Sequence, residues 1–146
     1  VEMYPAISPN GLELYFSEFN GDLGRPAGRG GGDLWVSRRA SRADPWETSV
    51  NLGPKVNSPR QDTHVYISSD GLMLFFESGR TGGYGGLDLY MTRRETLGDP
   101  WEEAINLGPS VNTPDNEYTP SISADGRVLM FARNYDIYQS TVEDIK

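Results

Sequence analysis

Ile67-Ser68-Ser69-Asp70-Gly71-Leu72-Met73-Leu74-Phe75-Phe76 is the stretch on which the fold turns. Asp70-Gly71 supplies two residues that tolerate positive φ, as two-residue hairpin turns require. After it, Leu72, Leu74 and Phe76 alternate along the chain with the period and length of a β-strand. The same text occurs on either side. Ile7-Ser8-Pro9-Asn10-Gly11 precedes Leu12, Leu14 and Phe16, and Ile122-Ser123-Ala124-Asp125-Gly126 precedes a third such stretch, 127–132. The opposite side of these strands carries Tyr15, Met73, Phe75, Val128 and Met130, so both faces are expected to be covered.

Further blocks keep the same order. Asp44-Pro45-Trp46 returns 55 residues later as Asp99-Pro100-Trp101, and Asn51-Leu52-Gly53-Pro54 returns as Asn106-Leu107-Gly108-Pro109. Asp33-Leu34-Trp35, Asp88-Leu89-Tyr90 and Asp136-Ile137-Tyr138 form another set. The chain therefore divides into residues 1–58, 59–113 and a shortened 114–146. Four short strands are expected in the first copy (3–8, 12–18, 34–39, 46–52) and four in the second (63–68, 72–78, 87–93, 101–107). The third offers 118–123, 127–132 and 136–140. No amphipathic helix is evident. Four antiparallel strands per repeat, stacked through two apolar faces, describe an all-β propeller segment of about three blades, the third incomplete.

The pattern Pro-x-Ile-Ser-x-Asp/Asn-Gly-x-x-Leu-x-Phe, a Gly-rich stretch, Asp-Leu-Tyr/Trp, then Trp and Asn-Leu-Gly-x-x-Val-Asn resembles the WD-like propeller repeat of TolB-type bacterial proteins. The resemblance covers essentially the whole chain. Asn10 stands for the usual Asp, Val65 for Pro, and the third copy lacks the Gly-rich loop. It implies a binding or scaffold module, a periplasmic or secreted location, and no single reaction.

Composition narrows the partners. The 146 residues carry 13 basic and 21 acidic side chains, a net charge of −8, which disfavours any ligand held by phosphate neutralisation, nucleic acid above all. No apolar run reaches the roughly 20 residues of a membrane span. Cysteine is absent, which excludes disulfides and thiolate chemistry.

Glu2, Asp62 and Glu117 each stand nine residues before a turn glycine, at the start of a first strand. First strands line a propeller's channel, so these acids are placed around its mouth beside Asn57, Asn112 and Asp115. They could bind a hard cation such as calcium or serve as a general acid; the alternative is that they cap a turn or pair with Arg60. His64 is the only histidine, at the position of Tyr4 and Thr119 in the sister copies. No Gly-x-Ser-x-Gly elbow accompanies it, so a structural role is favoured. The Gly-rich stretches 28–33 and 82–88 lack the following helix of a phosphate loop. They read as connections, with Arg80 and Tyr84 as possible ligand contacts. Asp33, Asp88 and Asp136 are expected to bond backbone N–H groups, Trp46 and Trp101 to pack between blades, and the pairs Arg38-Arg39 and Arg93-Arg94 to be solvated.

The favoured function is a non-catalytic module that binds a protein or carbohydrate at the rim formed by 19–32, 57–62, 79–86 and 112–117. The rival is a carbohydrate-active hydrolase using carboxylates of neighbouring blades, such as Asp62 and Glu117. Fewer than four blades do not close, so either two chains form a six-blade ring or the segment belongs to a longer propeller.

Overall fold

The computed structural model describes residues 1–19 and 31–144, with Asp144 described by its backbone alone. Three antiparallel sheets follow one another. The first contains β1 (Glu2–Ile7), β2 (Glu13–Glu18), β3 (Asp33–Arg38) and β4 (Val50–Asn51). The second repeats it with β5 (Asp62–Ile67), β6 (Met73–Ser78), β7 (Asp88–Arg93) and β8 (Ile105–Asn106), and the third has β9 (Glu117–Ile122), β10 (Val128–Arg133) and β11 (Asp136–Thr141). A 3-10 turn over Val142–Asp144 follows. Each sheet is a propeller blade in sequential order, so the all-β propeller segment holds.

Gly11, Gly71 and Gly126 adopt φ of 76°, 75° and 73° at the β1–β2, β5–β6 and β9–β10 turns, the left-handed conformation that placed glycine there. The Asn or Asp before each accepts a bond from the preceding serine, as in Ser8 Oγ to Asn10 Oδ1 at 2.7 Å. That serine hydroxyl then accepts the N–H that opens the second strand, from Glu13, Met73 or Val128, at 2.9 Å in all three copies.

Blades are held by two apolar layers. Tyr15, Leu34, Val36 and Val56 of the first blade pack on Leu74, Phe76, Tyr90 and Trp101 of the second. Phe75, Leu89, Met91 and Val111 of the second pack on Ile122, Leu129 and Phe131 of the third. Burying each such side chain contributes about 1.5–3 kcal/mol against about 0–1 for an exposed ion pair, so these layers dominate the stacking. Val56 and Val111 are fully buried, in the turns that follow the outer strands.

Two expectations need correction. The outer strands, expected over 46–52 and 101–107, shrink to two residues each. At their start a single ladder bond survives, from Glu47 N to Arg38 O and from Glu102 N to Arg93 O. The carbonyls of Glu47 and Glu102 then bond the Ser37 and Thr92 hydroxyls, and Ala104 N donates to Lys55 O of the first blade. Backbone groups used sideways in this way are lost to the sheet.

The arginine pairs are not uniformly solvated either. The Arg94 side chain is 1% exposed. Its Nη2 donates to Glu13 Oε2 at 2.6 Å and its Nη1 to Oε1 at 3.2 Å, across the blade boundary. Its guanidinium also lies 4.4 Å from the Trp101 ring, while Trp101 meets Tyr15 edge-on at 5.9 Å, which confirms inter-blade packing for that tryptophan.

Candidate functional site

The innermost strands β1, β5 and β9 run side by side, and each is broken at the same register. Pairing shifts between Met3 and Ala6, between Thr63 and Tyr66, and opposite Met130 and Ala132. At the break, Tyr4, His64 and Thr119 take φ of 55°, 50° and 53°. A left-handed conformation costs a non-glycine residue about 1 kcal/mol or more, and a β-branched threonine is the least suited to it. Pro5 and Pro120 follow two of the three; they carry no N–H to leave unpaired where the ladder is interrupted.

Together with Val65, these residues line a shallow cavity of about 150 Å³ at the blade axis. The Tyr4 and His64 ring centroids are 3.4 Å apart at an interplanar angle of 31°, and Phe19 meets Tyr4 edge-on at 6.4 Å. Behind them stands Glu77, 1% exposed. Its Oε2 lies 2.9 Å from His64 Nδ1, and its Oε1 accepts the Thr119 N–H at 2.6 Å. A bulge strips its residue of a ladder partner, so Thr119 takes its acceptor from the neighbouring blade. With the proton on Nδ1, the imidazole keeps its lone pair on Nε2: an acceptor when neutral, a second donor when charged.

Glu77 was not anticipated. Its sister positions hold Ser17 and Ala132, so an acid that breaks the repeat amid apolar neighbours was the available signal. His64 and Glu77 thus form an unrepeated pair on a repeated frame.

Most other expected site residues serve the frame. The Asp62 carboxylate is fully buried and accepts from Ser58 N at 2.6 Å, Ser58 Oγ at 2.8 Å, Ser78 Oγ at 2.6 Å and Arg80 Nη2 at 2.8 Å. Glu117, equally buried, accepts from Thr113 N at 3.1 Å, Thr113 Oγ1 at 2.6 Å and Arg133 Nε at 2.7 Å. Both acids cap a turn; the arginine on Asp62 is Arg80. Arg80 and Arg133 reach their acids from different positions on the chain and still match: each also donates to a valine carbonyl, of Val56 or Val111, and lies over a tyrosine, Tyr90 or Tyr138.

Asn57 and Asn112 each bracket the second residue of a third strand, accepting N–H and donating to C=O of Leu34 or Leu89 at 2.8–2.9 Å. Asp88 accepts the Tyr84 and Gly85 N–H groups at 2.6 and 2.9 Å, as expected of a loop-closing carboxylate; Asp136 is exposed.

Tyr84 is half exposed, on a loop that closes over the 113–116 connection so tightly that a Cβ at Gly85 would lie 2.0 Å from Asp115 O. That loop and 112–117 therefore share a rim, and Gly79 N bonds Gln61 O, which joins 57–62 to it. Of the stretch 19–32, Gly32 pairs with Gln61 beside that rim, while residues 20–30 lie outside the described residues. Glu2 is exposed. Among the described residues no three His, Asp or Glu side chains converge as metal ligands, and no helix is long and apolar enough to cross a membrane.

No protein-family model and no curated protein matches the chain. Solved structures do. A protein assigned as TolB from Agrobacterium tumefaciens superposes over 100% of this chain and 47% of its own, with TM-score 0.66 and 13% identity. TolB from Acinetobacter baumannii gives 0.64 and 12%, over 100% of this chain and 31% of its own. A Hadza microbial sialidase gives 0.53 and 12%, over 97% and 30%. At such identities the likeness is one of fold: the chain has the TolB-type propeller fold and spans half or less of each of these structures.

Proposed function

We propose that the chain is a non-catalytic binding module, periplasmic or secreted, whose ligand contacts the axial row Tyr4, His64 and Thr119. One observation carries the reading: the strained backbone repeats in all three blades while the side chain on it changes from tyrosine to histidine to threonine. Left-handed non-glycine backbone held in place by its surroundings clusters at binding and catalytic sites. A row of unlike side chains on like backbones presents a specific surface. The frame residues Asn57 and Asn112, by contrast, repeat in both identity and contact.

A protein segment suits this mouth better than a sugar or other small molecule. Small-molecule pockets enclose roughly 300–1,000 Å³, and this cavity has about 150 Å³. Asp62 and Glu117, the pair a hydrolase would use, carry arginines and no exposure, which supports binding over hydrolysis. The same arginines supply the positive charge that a calcium ion would bring to those two acids.

Peptide and glycan arrays probed with the wild type and with His64→Ala and Tyr84→Ala test the proposal. Binding to peptides that falls at least about tenfold in His64→Ala and holds in Tyr84→Ala is expected, as for a buried contact worth about 1.4 kcal/mol or more. Glycan turnover by the wild type would contradict it.

A further inference from the structure

Three buried acids of the frame, Glu13, Asp62 and Glu117, each take an arginine, at 2.6, 2.8 and 2.7 Å. Glu77 is buried as they are and meets no arginine among the described residues; the cationic group within its reach is the His64 imidazole, Nδ1 to Oε2 at 2.9 Å. A buried ionised carboxylate is stabilised by a cation beside it, and His64 is the side chain in place to be one. The Tyr4 ring lies over the imidazole at 3.4 Å, and an aromatic face attracts a cation too. Nε2 lies on the other side of the ring from Nδ1, and no described residue bonds it. Few other donors line the cavity. Pro5 and Pro120 have no N–H, the Thr119 N–H goes to Glu77, and Thr119 Oγ1 donates to Tyr118 O at 2.8 Å.

Resting on the reading of the axial row as the ligand's contact, we infer that the ligand presents a carboxylate to His64 Nε2–H, from an Asp or Glu side chain or from a chain end. Glu77 is the positioning residue that holds the imidazole for it. A charge-assisted bond of this kind needs the second proton on the ring, so affinity rises on acidification while the carboxylate of the ligand stays ionised. The neighbouring elements bring no free charge against it. Beside His64, β1 places the Tyr4 phenol, β6 places Glu77, and β9 the uncharged Thr119 with Tyr118 next to it. Asp62 and Glu117, two residues from His64 and Thr119, carry Arg80 and Arg133. Glu2, Glu18 and Asp33 lie in register at the rim ends of β1, β2 and β3, each engaged in an interaction of its own.

The test is an array in which each acidic peptide stands beside a copy with amides in place of its side-chain acids, both with free and with amidated C-termini. It is read at about pH 5.5 and about pH 7.5, either side of the range in which imidazoles change charge. The wild type is expected to hold carboxylate peptides at least about fivefold more tightly than their amide copies at the lower pH, and to hold them roughly fivefold less tightly at the higher. The arm that loses binding, side-chain amide or terminal amide, identifies the source of the carboxylate. His64→Gln keeps an uncharged donor and Glu77→Gln removes the counter-charge; each is expected to bring both ratios to within about twofold of unity, and either one, folded by circular dichroism, suffices. Peptides that His64→Ala weakens but that bind equally well as amide copies overturn this inference and leave the axial reading standing. A carboxylate preference that persists in the folded glutamine variants overturns it as well. An array that retains nothing, or peptides indifferent to His64→Ala, overturns both.

Discussion

At the scale of single residues, the division is between side chains that complete the frame and side chains that strain it. Thr119 holds a left-handed backbone that only glycine adopts freely, and its N–H, the group bonded to Glu77, survives substitution. Thr119→Gly is therefore expected to stabilise the fold by about 0.5–1 kcal/mol in chemical denaturation while weakening ligand binding. A loss of stability there would show that the threonine side chain serves packing and would remove the argument from strain. Asn112→Ala should do the opposite. It strips the buried Leu89 N–H and C=O of their partner and costs about 2–3 kcal/mol, with binding unchanged in the molecules that remain folded.

Among elements, the Glu13–Arg94 bridge between β2 and the residue after β7 is a buried ionic contact across the boundary of two blades. Burial pushes the Glu13 carboxyl up, but the hydrogen bond and charge of Arg94, with Tyr15 and Arg38 beside them, hold it below the ordinary 4.5. A depressed carboxyl stabilises the fold above its unfolded pKa and loses that contribution as pH falls through the folded value. The melting-temperature difference between wild type and Glu13→Gln is thus expected to be constant above about pH 5 and to shrink below pH 4.5. A difference that grows on acidification would reverse the sign assigned here. At neutral pH, Glu13→Gln should cost roughly 3 kcal/mol, because it leaves the Arg94 charge buried without its partner. This bridge lay beyond the reach of the sequence. Arg93-Arg94 repeats Arg38-Arg39 letter for letter, and Arg94 is buried because the first blade, with Glu13, lies over it. The blades themselves were legible, since turn glycines and period-2 apolar runs are local signals. The outer strands were overextended because their backbone bonds run to side chains and to the next blade, which residue spacing does not encode.

Across the whole molecule, three stacked blades bring β1, β5 and β9 to one axis, and that axis assembles residues 60 and 55 apart into a single surface. His64 was visible in the sequence as an exception to the repeat. Its partner Glu77 and the strain beneath it were not, because bulges follow from how an inner strand meets two neighbours. The fold also supplies its own probe. A single histidine gives one set of imidazole resonances, displaced by the Tyr4 ring current at a centroid distance of 3.4 Å. The most direct test of axial binding is to follow the His64 Cε1–H resonance while titrating peptides that the chain retains in the array. This resonance is expected to move in proportion to bound fraction, and by more than the Tyr84 ring signals on the rim. Peptides that saturate the chain, shift other resonances and leave His64 in place would contradict it.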